Sequence, residues 1–266
     1  MHVLITNDDG VRAPGIRHLA RAVAAAGYDV VVAAPRVEAS GSSAALTAVA
    51  EDGRVVVEKH DLGFGVAASP AYIVVLANLG AFGDPPDLVL SGINRGANAG
   101  HAVLHSGTVG AVVTAAASGR SGLAVSLDVL TPAMTSASSG GAAIAALDAM
   151  DDEARNWSTA ADLAVTLLPQ LAESPAGTVF NLNVPDVEPG KLAGVRQGSL
   201  ASFGQVQVAI AESGEGFVRT SVEESGGRSE PGTDLALLAD GYASVTPIRA
   251  VGEDPGLVID LARADA

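Results

Sequence analysis

His2-Val3-Leu4-Ile5-Thr6-Asn7-Asp8-Asp9-Gly10 opens the chain as a short apolar run that turns abruptly polar. Residues 15–26 then place Ile16, Leu19, Ala20, Val23 and Ala24 at helical spacing. The order is strand, loop, helix, and it recurs. Residues 28–34 (YDVVVAA) form a second apolar run stopped by Pro35, and residues 87–90 (DLVL) a third that enters a glycine-rich loop. Between them, residues 54–60 alternate like a strand on a partly exposed sheet, and residues 71–79 are apolar enough for a helix packed on it. Residues 107–117 read as a helix and 123–127 as a strand. Alternation of this kind predicts an α/β fold around a mostly parallel sheet.

The later chain changes character. Residues 131–141, inside an insertion over 128–158, are rich in Ser, Thr, Ala and Gly and read as surface; a helix is expected near 159–172 and a strand at 178–184 before Pro185. Shorter alternating pieces follow at 205–211 and 217–222, and 242–246 reads as a strand returning to a sheet. The tail from residue 257 fits a short helix or an exchanged arm. The expected division is a core over 1–185 and a β-rich appendage with a C-terminal arm over 186–266.

Composition removes several functions. Thirty acidic against fifteen basic residues give a formal net charge of −15, which repels duplex nucleic acid and anionic membrane. With no cysteine there is no thiolate nucleophile, iron–sulfur cluster or Cys-type zinc site, so any metal is held by oxygen or imidazole. The N-terminus turns acidic before a signal-length apolar segment accumulates, and no later run of about 18 apolar residues lacks breakers. A cytoplasmic protein is expected.

In an open parallel sheet, ligands bind at the carboxyl ends of the strands, and three such ends carry polar loops here: 7–10, 38–47 and 91–108. The adjacent carboxylates of Asp8 and Asp9 cannot both be buried and ionised without a cation, and a hard divalent ion with Ser or Asn oxygens resolves that conflict. By itself Asp8-Asp9-Gly10 reads equally well as a turn with a helix cap. Ser106-Gly107-Thr108 precedes a helix, where hydroxyls and free N–H groups can receive a phosphate or simply cap the helix. His101 and His105 flank the same loop and are candidate general acids or bases. No G-x-S-x-G nucleophile elbow is present, and the carboxylates at 8 and 9 are adjacent rather than in the Asp-x-Asp order of an aspartyl phosphatase.

Together, Ile5-Thr6-Asn7-Asp8-Asp9-Gly10-Val11, Ala13-Pro14-Gly15-Ile16, Ala34-Pro35, Ser40-Gly41-Ser42-Ser43 and Leu46-Thr47 resemble the SurE (survival protein E) nucleotidase family. The resemblance continues through residues 86–100, Ser106-Gly107-Thr108-Val109, Phe180-Asn181-Leu182-Asn183-Val184-Pro185 and Gly232-Thr233-Asp234 to Pro247. It implies a Rossmann-like core with helices on both faces and a β-rich part used in assembly, as a homodimer or homotetramer. It also implies metal-dependent hydrolysis of nucleoside 5′- and 3′-monophosphates, with one Mn2+ or Mg2+ per subunit. By motif, Asp8, Asp9, Ser40 and Asn94 are the implied metal ligands, Asn98, Ser106, Gly107 and Thr108 the implied phosphate cradle, and Asp8, Asp9 and Asn98 the catalytic residues. Three positions depart from the family pattern: Tyr72 replaces an acidic residue, His105 a tyrosine, and Thr114 a glutamate. Tyr72 and Thr114 motivate an alternative, a catalytically weakened nucleotide-binding protein. A metal-dependent glycosyltransferase fits the fold class but fails on motif order.

Overall fold

A computed structural model describes residues 1–129, 151–202, 206–214, 217–224, 230–249 and 251–252. The insertion read at 128–158 falls mainly on residues 130–150, outside the described residues, as does the tail from 257. The elements in chain order are β1 (His2–Thr6), α1 (Pro14–Ala25), β2 (Asp29–Pro35), β3 (Ala50–Glu51), β4 (Arg54–Val55), β5 (Val57–Lys59), β6 (Phe64–Val66) and α2 (Pro70–Asn78). There follow β7 (Leu88–Arg95), α3 (Gly107–Ala117), β8 (Ser121–Asp128), α4 (Trp157–Glu173), β9 (Val179–Pro185), β10 (Val195–Gln197), β11 (Val206–Gly214), β12 (Phe217–Glu224), α5 (Asp234–Ala239) and β13 (Ala243–Ile248).

Nine strands form one sheet in the order β10-β13-β9-β8-β7-β1-β2-β6-β5. β9, β8, β7, β1, β2 and β6 are parallel; β13 and β5 run against β9 and β6. Successive side chains of a strand face opposite sides of the sheet. Val3 and Ile5 therefore pack with Ile16, Leu19 and Val23 of α1 and with Leu168 and Leu171 of α4, whereas Leu4 packs with Ile73 of α2 and Val112 of α3. The result is the expected α/β architecture with helices on both faces. From β1 the chain moves outward through β2 and β6, then crosses back to β7 on the other side of β1. The crevice beyond the carboxyl ends of β1 and β7 is the topological switch point, where ligands bind in such sheets.

Three local readings change. The single strand expected over 54–60 is two: β4 pairs with β3, β5 pairs with β6, and between them the Val56 carbonyl turns to accept the Ala67 N–H at 2.9 Å. β7 runs on through Arg95, into what reads as a glycine-rich loop. It does so through a bulge, since Ser91 to Asn94 spans three residue steps against two from Ala124 to Ser126 on β8. The chain after 185 serves two structures. β10, β13 and α5 join or cover the main sheet, while β11 and β12 pair only with each other as an antiparallel ribbon among the described residues. Among the described residues no helix is long and apolar enough to cross a membrane.

Candidate active site

At the end of β1 the Asn7 side chain closes the turn on itself, donating to the Gly10 carbonyl at 2.9 Å and accepting the Gly10 N–H at 3.1 Å. Within that local clamp Gly10 takes φ +100°, a left-handed value favouring glycine. Asp8 is 4% exposed, and its carboxylate accepts from the Thr108 hydroxyl at the start of α3. Burial pushes its pKa up, while the Thr108 hydroxyl and the backbone N–H groups of Asp8, Thr108 and Gly107 pull the other way. Burial likewise raises Asp9, helped by the charges of Asp8 and Glu38, to about 7; the Arg95 N–H, donating to Asp9 Oδ2 at 3.2 Å, and the Arg95 charge oppose this.

The second strand end brings the loop after β2 alongside. Ala39 N–H donates to the Asp8 carbonyl at 2.7 Å, and the Ser43 hydroxyl to the Leu104 carbonyl at 2.7 Å, so the loop is tied to both neighbours. Ser40 gives its proton to Glu38 at 2.6 Å, leaving oxygen lone pairs on Ser40 as acceptors. Gly107 is required for the close packing here. A Cβ on it would lie 2.6 Å from Ser42 Oγ and 2.8 Å from Asp8 Oδ2.

The third strand end is β7 with the segment after it. Asn94 Nδ2 donates to the Gly96 carbonyl at 2.8 Å, which fixes its amide. Asn98 Nδ2 donates to Ser126 Oγ at 2.9 Å, and the Asn98 peptide is held by Asn181 and Asn183 of β9. Buried Asp234, at the start of α5, accepts Gly100 N–H at 2.7 Å and Ala201 N–H at 2.9 Å, anchoring the 3₁₀ turn Gly100–His105. Ser106 Oγ caps α3 by accepting Val109 N–H at 3.1 Å.

These loops enclose a cleft of about 260 Å³ whose lining includes Asp8, Asp9, Ser40, Asn94, Asn98 and Ser106. The structure thus brings together six of the eight residues that the resemblance implies for metal, phosphate and catalysis. Gly107 and Thr108 sit behind them on Asp8, so the positive end of α3 already faces a carboxylate. His105 lines the cleft; His101 is exposed outside it. Tyr72 lies on α2 and Thr114 on α3, where its hydroxyl donates to the Gly110 carbonyl at 2.8 Å; neither lines the cleft. Sequence reasoning missed Glu38 and Arg95 in the lining and the supports Ser126, Asn181, Asn183 and Asp234. Two asparagines spaced to share one face of an apolar strand at 181 and 183 were the available signal.

The donor set suits a hard cation: two carboxylates in mutual electrostatic conflict, a serine oxygen stripped of its proton role, and an asparagine amide, all oxygen and all on one cleft.

A family model described as survival protein SurE matches residues 3–207. The 5′-nucleotidase SurE of Xylella fastidiosa strain M12 is 34% identical over 253 residues, covering 93% of this chain and 89% of that one. The 5′/3′-nucleotidase SurE of Shigella dysenteriae is 33% identical over 254 residues, covering 94% and 90%. The crystal structure of the SurE protein from Aquifex aeolicus superimposes with a TM-score of 0.74 at 26% identity, covering 99% of this chain and 98% of that one.

Proposed function

The chain belongs to the SurE family, and from that premise we propose that it is a metal-dependent phosphomonoesterase, hydrolysing nucleoside 5′- and 3′-monophosphates to nucleoside and phosphate. The observation that carries this reading is the convergence of Asp8, Asp9, Ser40, Asn94, Asn98 and Ser106 on one cleft at the switch point. Asp8, Asp9, Ser40 and Asn94 would hold one Mn2+ or Mg2+. Such an ion, when bound, supplies Lewis acidity toward a phosphate oxygen and toward a water molecule.

The chain's own residues do the rest. Thr108 and the amides at the start of α3 hold Asp8 in place and offset part of the burial that raises its pKa. Asn98 offers its second Nδ2 hydrogen to a phosphate oxygen while Ser126 takes the first, and the Ser106 hydroxyl, whose oxygen caps α3, has its hydrogen to give. His105 is the lining group best suited to protonate the departing alkoxide. Gly107 and Thr108 contribute from behind, through Asp8. The binding-only alternative loses its main motive, because Tyr72 and Thr114 stand off the cleft. We also assign the β11–β12 ribbon to a homodimer or homotetramer contact, since a two-stranded ribbon is marginal on its own.

Phosphate release from a panel of nucleoside monophosphates, with Mn2+, Mg2+ or chelator, tests the reading. Release is expected with metal and is lost in Asp9→Asn. Absence of release from folded, metal-loaded protein, or turnover by Asp9→Asn equal to wild type, overturns it.

A further inference from the structure

We propose that Asn183, backed by Asn181, is a positioning residue for Asn98, fixing through the Asn98 peptide where the Asn98 amide meets a substrate phosphate; this rests on the function proposed above. Asn183 Oδ1 accepts the Asn98 N–H at 2.8 Å, and its Nδ2 donates to the Asn98 carbonyl at 3.0 Å. One side-chain amide thereby pairs with both polar groups of one residue, as a neighbouring strand would. Asn181 Nδ2 donates to the same carbonyl at 2.7 Å.

Placement makes this costly to maintain without a use. Asn181 and Asn183 are both 0% exposed in a strand whose other members, Val179, Phe180, Leu182, Val184 and Pro185, are buried apolar residues. A buried amide is destabilising unless paired, and Asn181 Oδ1 has no partner among the described residues. The sheet register explains the precision of the arrangement. Asn94, Ser126 and Asn183 stand level on β7, β8 and β9, so the strand carrying an implied metal ligand, the acceptor for the Asn98 amide and the clamp on its peptide are neighbours. The main chain of Asn98 is set by β9 and its side chain by β8. One Nδ2 hydrogen remains for the cleft.

A purely structural role would lower stability and metal affinity together with activity, whatever stood at position 98. A positioning role acts only through Asn98. The test is a double-mutant cycle in the full chain, Asn183→Ala with Asn98→Ala, reading kcat/KM, the affinity of the Mn2+-loaded protein for inorganic phosphate, and Mn2+ affinity of the metal-free protein. Asn183→Asp, which keeps the acceptor and loses the donor, carries the cycle if Asn183→Ala does not fold. Each Asn183 variant is expected to lower kcat/KM and phosphate affinity roughly ten- to hundred-fold, the range seen when a residue supporting a ligating or catalytic group is removed. Mn2+ affinity should stay within about two-fold, and with Asn98→Ala already present the Asn183 change should add less than about two-fold. Multiplying losses, or Mn2+ affinity falling in step with activity, overturns the inference. Silent Asn183 variants beside an impaired Asn98→Ala overturn it alone. A silent Asn98→Ala removes Asn98 from the phosphate and takes the proposed roles with it.

Discussion

Asp8 and Asp9 are adjacent in sequence yet sit in different electrical surroundings. Burial raises both: Asp8 has a hydroxyl and several backbone N–H groups that oppose it in part, whereas Asp9 has one N–H at 3.2 Å and two carboxylate neighbours, and rises to about 7. A carboxyl whose folded pKa lies above its unfolded value binds more protons folded than unfolded between the two, so its contribution to stability falls as pH rises from about 4 to about 7 and stays unfavourable above. In chelator at pH 8, Asp9→Asn should therefore unfold at higher denaturant than wild type. The expected gain is on the order of 2 kcal/mol, below the full conversion at about 1.4 kcal/mol per pH unit because the hydrogen bond from Arg95 weakens when its acceptor loses charge. At pH 4 the difference should vanish, and saturating Mn2+ at pH 8 should reverse it, stabilising wild type and not the variant. Denaturant melts of both proteins at the two pH values, with and without metal, decide it; an Asp9→Asn that is less stable in chelator at pH 8 contradicts the electrostatic account. Side chains on the lining and off it should separate just as plainly. His105→Tyr, which replaces the group assigned to protonate the leaving alkoxide, should lower kcat and shift KM unevenly across a nucleotide panel, whereas Tyr72→Phe, off the cleft on α2, should leave every kcat/KM within about two-fold.

Among the elements, α3 carries the most information per residue. Its helix propensity and its tertiary contacts give opposite forecasts at Gly107, which is in the first turn. Propensity alone makes Gly107→Ala a gain of about 1 kcal/mol. A Cβ there would lie 2.6 Å from Ser42 Oγ and 2.9 Å from Asp8 Cβ, so Asp8 or the loop must move. The variant is expected to lose about 1 kcal/mol or more, and its kcat to fall roughly ten-fold, since displacing a catalytic group by about 1 Å can cost up to 10²-fold. Thermal melts and steady-state kinetics on this one variant read both; a stabilised, fully active protein means the site tolerates the shift. The boundaries of α3 were legible in sequence, because Ser106-Gly107-Thr108 caps it and a run of small residues, apolar except for Thr114, follows. The bulge in β7 was not. Gly92 adopts φ +140°, and a Cβ there would approach Val125 of β8, 33 residues on, so the reason for that glycine is a long-range contact. The same holds for Asn181 and Asn183, whose partner Asn98 is more than 80 residues away. The strand ends that carry the site could be read from local punctuation. The residues that hold the site still could not, because they act across the sheet.

At the scale of the whole molecule, strand order was the least legible feature. Nothing in the composition of β10 or β13 distinguishes an edge of the main sheet from a member of a separate appendage; pairing of β13 with β9, Ser244 opposite Asn183, is what places it. Net charge was legible at once, and it bears on the substrate as well as on the exclusions. A protein at −15, with Asp8, Asp9 and Glu38 on the cleft and Arg95 as the cation in its lining, meets a nucleotide dianion with a repulsive far field. Salt screens that field over a Debye length that shortens from about 30 Å at 0.01 M to about 10 Å at 0.1 M, whereas short contacts inside the cleft are screened much less. With Mn2+ saturating throughout, kcat/KM for a nucleoside monophosphate should therefore rise about two- to five-fold over that range, through KM, while kcat holds. A phosphate monoester that also carries an ammonium group, and so has a lower net charge, should show a smaller rise. If kcat/KM falls with salt instead, the substrate responds to a locally positive cleft mouth around Arg95 and the bound cation, and the charge of the molecule as a whole does not govern its approach.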